Sequence, residues 1–285
     1  MLGVLGDLVE DIVVWLAEDV RTATDTEVSI HRTRGGSAAN VAAFAAKHCP
    51  TRFLGCVGTD AAGEALVAEL TGSGVDVRVQ REGTTGCVVV FVDEHGERTM
   101  FPDRGASVLL RTVEPSWFEG LHHLHVPAYC FAAEPLSTAS VRAIEHMREH
   151  GGTASVDASS TGMLRGYGRD RFLDLMGELR PRVLFANRTE AEFLGLGPEH
   201  QLDATVVVKD GPDPTAILRP SEPPEWVDVP VAPHVRDATG AGDAFAAGFL
   251  ADILVGSDLR KACEAGHTAA ASVLDHPGAS PPGPV

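Results

Sequence analysis

The chain has 285 residues, of which 44% are hydrophobic, and this is enough for one large α/β domain or for a domain with a small lid. Its formal net charge of −17 argues against a surface for nucleic acid or for anionic membranes. Five scattered cysteines without a C-x-x-C pair, no evident signal peptide and no uncharged stretch of membrane-spanning length predict a cytoplasmic protein.

The first predicted strand covers residues 2–6, and acidic residues follow it. Gly6 and Asp7 end this strand, and Asp11 stands at the start of the next segment. In open α/β sheets, ligands bind in the loops at the carboxyl ends of the strands. A carboxylate accepts hydrogen bonds from two adjacent hydroxyls, so Asp11 is interpreted either as a ligand for a hydroxylated substrate or as a solvated loop acid. Extended segments are predicted next at 12–15 and 27–33.

A glycine pair opens the first predicted helix. Residues 34–42 read RGGSAANVA, and the small, apolar helix is predicted from Ala39 to Lys47. This pattern favours either close packing of the helix on a sheet or close approach of a ligand to the backbone. The side-chain amide of Asn40 has both a donor and an acceptor, so it can bind a hydroxyl in either sense.

A second strand and helix precede a hairpin. Residues 53–63 begin with a predicted strand, and a helix is predicted to follow from about Gly63 to Leu70. The extended segment 86–93 turns at 94–96 into 97–100, which is a good hairpin signal. Arg104 follows this hairpin; an exposed arginine is favoured over the alternative that it contacts a charged or hydroxylated substrate.

Strands then alternate with helices. Strands are predicted at 121–126, 153–157, 182–187 and 205–209, and a helix at 135–150. This alternation indicates right-handed βαβ crossovers and a mainly parallel sheet. His123 and His125 share one face of their strand, but no further ligand follows in sequence, so partly exposed histidines are favoured over a metal site.

A glycine turn before an apolar helix is the strongest feature of the chain. Residues 236–250 read RDATGAGDAFAAGFL, with Asp243 in the first helical turn. Backbone N–H groups at such a helix start are unpaired and suit an anion such as phosphate. A carboxylate beside that anion can accept a proton from an attacking hydroxyl. A capped helix with no ligand is the alternative interpretation.

The string D-x-T-G-A-G-D-x-F at 237–245 resembles the C-terminal signature of the PfkB/ribokinase family of carbohydrate and nucleoside kinases. GDLVED at 6–11, the glycine pair at 35–36 and N-x-x-E at 187–190 resemble further motifs of that family, in the family's order. The resemblance implies a Rossmann-like, three-layer ribokinase fold, in which helices flank a mainly parallel sheet. It also implies one kinase domain over 1–285, with a small β-sheet lid from roughly 12–34 and 86–100, and residues 75–77 at the edge of the lid region.

The resemblance implies roles for particular residues. Asp243 would be the catalytic base, and the amides of Gly240, Ala241 and Gly242 would form the anion hole. The acceptor-binding residues would be Asp11, Gly35, Gly36 and Asn40. The nucleotide-binding residues would be Asn187, Lys209, Gly211, His267 and Ala270. Glu190 and Asn187 would hold Mg²⁺ largely through water, as suits an ion that takes few direct carboxylates.

Two regions depart from the family pattern. The family carries two glycines beside the nucleotide phosphates, and Pro214 replaces the second of them. Proline has no N–H, so it cannot donate to a phosphate there. Gly278-Ala279-Ser280 only loosely resembles the region that contributes to a monovalent-cation site in this family, and it marks a candidate site for K⁺.

These features predict an ATP-dependent kinase that transfers the γ-phosphoryl group to a sugar hydroxyl, in the manner of a ribokinase or fructokinase. A nucleoside kinase of the same fold is the first alternative, with Val13, Trp15 and Phe101 as an apolar wall for a base. A non-catalytic sugar- or nucleotide-binding protein is the second, although an intact Asp243 speaks against it. A dinucleotide-binding oxidoreductase is weaker still, because no early G-x-G-x-x-G follows the first strand. A homodimer through the lid is also expected, because a half-covered sheet leaves an apolar face to bury.

Overall fold

The computed structural model describes residues 1–93, 98–232 and 234–275. In chain order, the strands are β1 (Leu2–Gly6), β2 (Val9–Leu16), β3 (Val28–Gly35), β4 (Thr51–Val57), β5 (Asp76–Arg81), β6 (Thr85–Val92), β7 (Arg98–Gly105), β8 (His123–Pro127), β9 (Thr153–Asp157), β10 (Val183–Asn187), β11 (Thr205–Asp210), β12 (Asp213–Leu218) and β13 (Glu225–Val227). The helices are α1 (Ser37–Ala45), α2 (Ala61–Gly72), α3 (Leu136–Glu149), α4 (Thr161–Tyr167), α5 (Arg169–Leu179), α6 (Arg188–Leu194), α7 (Ala241–Leu254) and α8 (Leu259–Ala271).

A nine-stranded sheet forms the centre of the fold, in the order β13-β12-β11-β10-β9-β8-β1-β4-β5. Every neighbouring pair from β11 to β5 is parallel, whereas β12 and β13 add antiparallel strands at one edge. The carboxyl ends of β1, β9, β10 and β11 therefore lie along one edge of the sheet, which is where ligands bind in folds of this class.

Helices cover both faces of the large sheet. Side chains alternate along β10, so that Val183 and Phe185 join one core with α1, α7 and α8. Leu184 and Ala186 face the other way and join a second core with α3, α5 and α6. A strand that is buried on both faces reads as a continuous apolar run, as β10 does. The predicted three-layer, mainly parallel architecture is confirmed.

A separate four-stranded sheet has the order β3-β2-β6-β7. Its central pair, β2 and β6, is parallel, and both outer pairs are antiparallel. These strands contain the segments predicted at 12–34 and 86–100, but β2 begins at Val9 and β7 continues to Gly105. The predicted turn at 94–96 and Glu97 lie outside the described residues.

Two local predictions are wrong. Residues 75–77 do not begin the edge of the small sheet, because β5 pairs in parallel with β4 at the edge of the large sheet. The strand histidines are not partly exposed, since His123 and His125 are 1% and 0% exposed. Both rings make hydrogen bonds of 2.8 Å with the Ser155 hydroxyl on the neighbouring strand, which compensates part of the cost of their burial, while His125 Nε2 has no partner among the described residues.

Across the described part of the chain, no helix combines the length and the hydropathy needed to cross a bilayer.

Candidate active site

Gly240 carries the backbone into helix α7. Its φ of 77° lies in the left-handed region, which glycine adopts without steric cost. The N–H of Ala241 donates to the carbonyl oxygen of Ala238 at 3.1 Å, so this amide is already occupied. Ala241 is thus a correction to the predicted anion hole of Gly240, Ala241 and Gly242. Among the described residues, no carbonyl outside the helix accepts from the amides of Gly240, Gly242 and Asp243, so these three are the available donors for an anion at the helix start.

Two side chains of the α1 region hold the Asp243 carboxylate. The Ser37 hydroxyl donates to Oδ1 at 2.8 Å, and the Asn40 amide nitrogen donates to Oδ2 at 3.0 Å. Residues more than 200 positions apart in sequence thus fix both oxygens of one carboxylate. These two hydrogen bonds fix the orientation of the carboxylate, and a general base must be oriented in this way to accept a proton.

The electrostatic surroundings of Asp243 also suit a base. Burial raises the pKa of its carboxyl group to about 7, and the negative charge of Asp157 acts in the same direction. Hydrogen bonds from Asn40 and Ser37 and the charge of Lys209 oppose this rise. A carboxylate with a pKa near neutrality is a stronger proton acceptor than an ordinary surface aspartate, and it is still ionised in about half of the molecules at that pH.

The glycine pair allows two acids to approach the backbone. A Cβ on Gly35 would overlap the Asp11 carboxylate, and a Cβ on Gly36 would overlap the carbonyl of Asp7. Gly36 also has a φ of 98°, which disfavours other residues. Burial, followed by repulsion from Asp7, raises the pKa of Asp11 to about 6. The pair therefore brings both acids beside the start of α1.

Asn40 is oriented by a buried arginine that the sequence argument did not assign. Arg34 is 3% exposed, and its Nη1 donates to Asn40 Oδ1 at 2.8 Å. Since the other end of the same amide donates to Asp243, both ends of Asn40 are bonded to the protein. The structure thus favours Asn40 as a residue that positions Asp243. Its predicted contact with a substrate hydroxyl stays a prediction.

A second charged group lies at the carboxyl ends of β9 and β11. Lys209 Nζ lies 2.8 Å from Asp157 Oδ2, and both side chains are largely buried. Burial alone would lower the pKa of Lys209, but Asp157, Glu190 and Asp243 together raise it. A Cβ on Gly242 would lie 3.3 Å from Lys209 Nζ, so the ammonium group is directly beside the glycine turn.

Asn187 and Glu190 form a capping box at the start of α6. The Glu190 N–H donates to Asn187 Oδ1 at 2.9 Å, and the Asn187 N–H donates to Glu190 Oε2 at 2.8 Å. Burial, then repulsion from Asp157, raises the pKa of Glu190. N-x-x-E therefore has a structural function in the helix start. This function leaves Glu190 Oε1 without a hydrogen bond among the described residues.

The predicted nucleotide loop is a tight turn between β11 and β12. Gly211 has a φ of 58°, and a Cβ there would meet nothing within 4 Å. Pro214, which replaces the second glycine, lies inside strand β12. The turn is therefore short, and Gly211 is its only glycine.

His267 and Ala270 lie on α8, and the histidine is packed into the core. It is 5% exposed, its Nε2 lies 2.9 Å from Thr215 Oγ1, and its ring lies 5.3 Å from that of Phe245. Ala270 packs against the same core. In this structure His267 joins α8, α7 and β12, and its contact with an adenine ring stays a prediction. The candidate K⁺ segment at 278–280 lies outside the described residues.

The structure brings most of the predicted residues together. Asp243, Asn40, Gly35, Gly36 and Asp11 lie in one group around the start of α1 and α7. Sequence reasoning missed the partners that orient them: Ser37, Arg34, Asp157 and the second acid, Asp7. Asp157 carried a signal that could have been used, because it ends a predicted strand in the same way as Asn187 and Lys209.

Comparison with known proteins identifies the family of this chain. The profile of the family described as pfkB family carbohydrate kinase matches residues 4–285. An ATP-dependent ribose-1-phosphate kinase from Halopiger xanaduensis is 30% identical over 281 residues, covering 93% of this chain and 90% of the relative. A fructokinase from Klebsiella pneumoniae is 30% identical over 271 residues, covering 88% of this chain and 84% of the relative.

A solved structure shows the same fold. The crystal structure of adenosine kinase from Sinorhizobium meliloti superposes with a TM-score of 0.85 at 25% identity, covering 98% of this chain and 95% of that chain.

Proposed function

The chain belongs to the pfkB family of carbohydrate kinases, and we propose that its Asp243 accepts the proton of a sugar hydroxyl as that hydroxyl attacks the γ-phosphoryl group of ATP. In this reaction the sugar oxygen forms a bond to the γ-phosphorus, the bond to the β–γ bridging oxygen breaks, and ADP leaves. The observation that carries the proposal is the Asp243 carboxylate, held by Ser37 and Asn40 beside the available amides at a helix start.

Other residues have separate tasks in this proposal. The amides of Gly240, Gly242 and Asp243 donate to the phosphoryl oxygens as negative charge shifts among them. Lys209 lies beside the same turn and adds a positive charge. Asp11 binds hydroxyls of the acceptor, and the backbone at Gly35 and Gly36 lets the acceptor approach closely. Holding the hydroxyl in line with the phosphoryl group supplies much of the rate.

The acidic residues fit a divalent cation beside the nucleotide. The negative charge of Asp157 acts on both Glu190 and Asp243, and Lys209, which forms an ion pair with Asp157, is within reach of the charges of all three acids. Mg²⁺ usually keeps several waters and takes phosphate oxygens with one or two carboxylates, so few protein ligands are needed. Glu190 and Asn187 would hold the ion, which when bound neutralises phosphate charge. A K⁺ requirement is also proposed, on the sequence resemblance at 278–280.

The test of the proposed function is ATP consumption with Mg²⁺ over a panel of ribose, fructose, other sugars and nucleosides. Consumption that depends on one of the sugars supports it. Consumption with a nucleoside alone would favour the second candidate, and none with any acceptor would reject both.

One observation favours that second candidate, a nucleoside kinase. Asp11, Val13 and Trp15 alternate along β2, so they share the face of the small sheet that bears Asp11. Val13 and Trp15 are half-buried, and they give this face apolar area suited to a base. Phe101 is not part of this wall, because its register with Val89 places it on the opposite face.

Glu190 gives a test of the metal proposal. Glu190→Gln keeps a side chain that can accept from the Asn187 N–H, so we expect the capping box and the melting temperature to change little. Loss of the negative charge should weaken the dependence of turnover on Mg²⁺ and slow turnover. Rates measured over a Mg²⁺ titration, with thermal melting as the control for folding, check this. Superimposable titrations for variant and wild type would remove Glu190 from the metal site.

We propose that the small sheet is a lid over the acceptor and that its outer face joins two copies of the chain. Arg98, on the inner face, pairs with Asp237 in the loop before α7, which ties the sheet to the site. Apolar side chains fill the outer face, with Ile30 and Phe101 57% and 52% exposed. Glu10 and Arg32 on this face already pair with each other at 2.8 Å, so their charges are balanced within one copy. A twofold axis would bring the apolar surfaces of the two copies together.

Phe101→Glu should disrupt this dimer, because each copy would place a charge in the apolar contact. Trp226→Glu is the matched control, since Trp226 is 56% exposed on β13 of the other sheet. Sedimentation equilibrium should give the dimer mass for wild type and Trp226→Glu and the monomer mass for Phe101→Glu. A monomeric wild type at tens of micromolar would contradict the proposal.

The proposed compartment is the cytoplasm, a reducing environment. All five cysteines are free and none is exposed, as expected for a chain that does not depend on disulfide bonds.

A further inference from the structure

Three arginines surround the two acids on the acceptor side of the site. Arg104 Nη1 lies 3.4 Å from Asp7 Oδ2, and Arg34 and Arg98 both lower the pKa of Asp11 against the effect of burial. The chain as a whole carries a net charge of −17, so positive charge concentrated at this place is a local feature. This local positive charge affects which acceptors the site can bind.

Two of these arginines, Arg34 and Arg98, are already paired with other side chains of the protein. Arg34 is buried and donates to Asn40, with Glu69 Oε1 3.5 Å from its Nε. Arg98 pairs with Asp237, which is itself 9% exposed. Their positive charges therefore hold parts of the site in place.

Arg104 differs from the other two. Its guanidinium lies over the Tyr129 ring, 4.2 Å from the ring centroid, and its side chain is 30% exposed. Its hydrogen bond to Asp7 is single and, at 3.4 Å, at the long end of the range. Because a guanidinium has five N–H donors in a fixed plane, most of the donors of Arg104 are available to a ligand. The prediction of an exposed arginine is thus only partly right. The side chain is partly covered, because its guanidinium stacks on the Tyr129 ring, and this contact also fixes its orientation.

Contacts of Asp7 place Arg104 beside the reacting groups. Asp7 Oδ1 accepts from the Ala38 N–H at 3.1 Å, one residue after Ser37, whose hydroxyl donates to Asp243. Burial raises the pKa of the Tyr129 hydroxyl, and the charges of Arg104, Asp7 and Asp243 all act on it. Arg104, Asp7 and Asp243 therefore border the same space, which is the proposed acceptor site.

Resting on the proposed kinase activity, we infer that Arg104 selects an acceptor that carries an anionic group, a phosphate or a carboxylate, apart from the hydroxyl that is phosphorylated. A planar guanidinium with free donors binds either group through two parallel hydrogen bonds. A neutral sugar offers no such partner, so it gains less from Arg104. The transfer step is unchanged: the acceptor oxygen bonds to the γ-phosphorus, ADP leaves, and Asp243 takes the hydroxyl proton.

Four acceptors and three variants test this inference. The acceptors are ribose 1-phosphate, which carries a phosphate, gluconate, which carries a carboxylate, and the neutral compounds ribose and adenosine. Comparing them separates a phosphate from a carboxylate and both from neutral acceptors. Arg104→Gln removes the charge, and Arg104→Lys keeps the charge but not the planar fork. Arg171→Gln is the matched control, because Arg171 lies over the Tyr167 ring at 4.3 Å, on α5.

Wild type should have its lowest KM for ribose 1-phosphate or for gluconate. Arg104→Gln should raise that KM by about 10- to 100-fold, the range of a charge-assisted hydrogen bond, with a smaller rise for Arg104→Lys. The KM for ribose or adenosine should stay within about threefold, and Arg171→Gln should match wild type throughout. Equal rises for charged and neutral acceptors, or a preference of wild type for a neutral acceptor, would overturn the inference.

Calorimetric binding of the same four compounds separates this inference from the proposed function. If no acceptor supports ATP consumption but Arg104→Gln weakens binding of the anionic compound alone, the kinase proposal fails and the anion site stands. If ATP is consumed but the variant binds all four compounds as wild type does, the kinase proposal stands and the anion site is rejected. Should Arg104→Gln fail to fold, Arg104→Lys decides by the same comparison.

Discussion

Asp243→Asn is expected to lower turnover by about 10²–10⁴-fold, the usual contribution of a positioned general base. The amide has the size of the carboxylate, and its oxygen can still accept from Asn40 while its nitrogen donates to the Ser37 hydroxyl. The helix start and its amides are untouched, so binding of nucleotide and acceptor should survive. Steady-state rates together with nucleotide binding by calorimetry check the prediction. Loss of binding in the variant would instead show that Asp243 has a structural role.

The same residue predicts a pH dependence. Burial raises the pKa of Asp243 to about 7, so the base is protonated and inactive below that pH, and kcat/KM of wild type should fall as the pH is lowered through 7. The folded state favours the protonated form, so this group stabilises the fold at low pH and loses that contribution as the pH rises through about 7. Asp243→Asn should therefore melt at a higher temperature than wild type at pH 8–9. A lower melting temperature there would contradict the electrostatic account.

Lys209→Met is expected to have the largest effect on stability. Lys209 and Asp157 are 16% and 12% exposed, and removal of one partner of a buried ion pair costs about 3–5 kcal/mol. The cost arises because Asp157 would be left beside Glu190 and Asp243 without its cation. Turnover should also fall by about 10²–10³-fold, the cost of removing one donor to the transition state. Denaturant unfolding and steady-state kinetics measure the two effects.

Arg188→Gln is the control for Lys209→Met. Arg188 pairs with Asp210 on the neighbouring residue of β11, but it is 57% exposed, and such surface pairs contribute only about 0–1 kcal/mol. Lys209→Met with Asp157→Leu should recover part of the lost stability, since no unpaired charge then remains at this pair. Equal destabilisation by Lys209→Met and Arg188→Gln would show that the buried pair does not hold the site together.

The fold was largely predictable because its signals are local. Apolar strands such as 183–187 and the glycine turn before α7 are short patterns whose structure follows from burial and backbone freedom. The position of β5 was not predictable in this way. An edge strand with mixed polarity, such as DVRVQR, fits either sheet, and only its pairing with β4 decides between them.

The site was predictable at its centre and not in its supporting contacts. The short motif around Asp243 indicated the residue that we propose as the base, but Ser37 and Asn40 reach it from more than 200 residues away. Asn40 was interpreted as a substrate ligand because its amide can bind a hydroxyl, yet Arg34 and Asp243 use both of its ends. The histidines of β8 were expected to be partly exposed because no partner follows them in sequence, and their burial depends on Ser155 in the next strand. Sequence patterns do not contain these pairings, since they arise when distant strands and helices meet.

Transfer of labelled phosphate from γ-labelled ATP, by wild type and by Asp243→Asn, tests the central claim most directly. With the best acceptor of the panel, wild type should form a labelled sugar product and ADP in equal amounts. Asp243→Asn should bind ATP with similar affinity and form product at least about 10²-fold more slowly. Equal product formation by the two proteins, or no labelled product from wild type with any acceptor, would contradict the account.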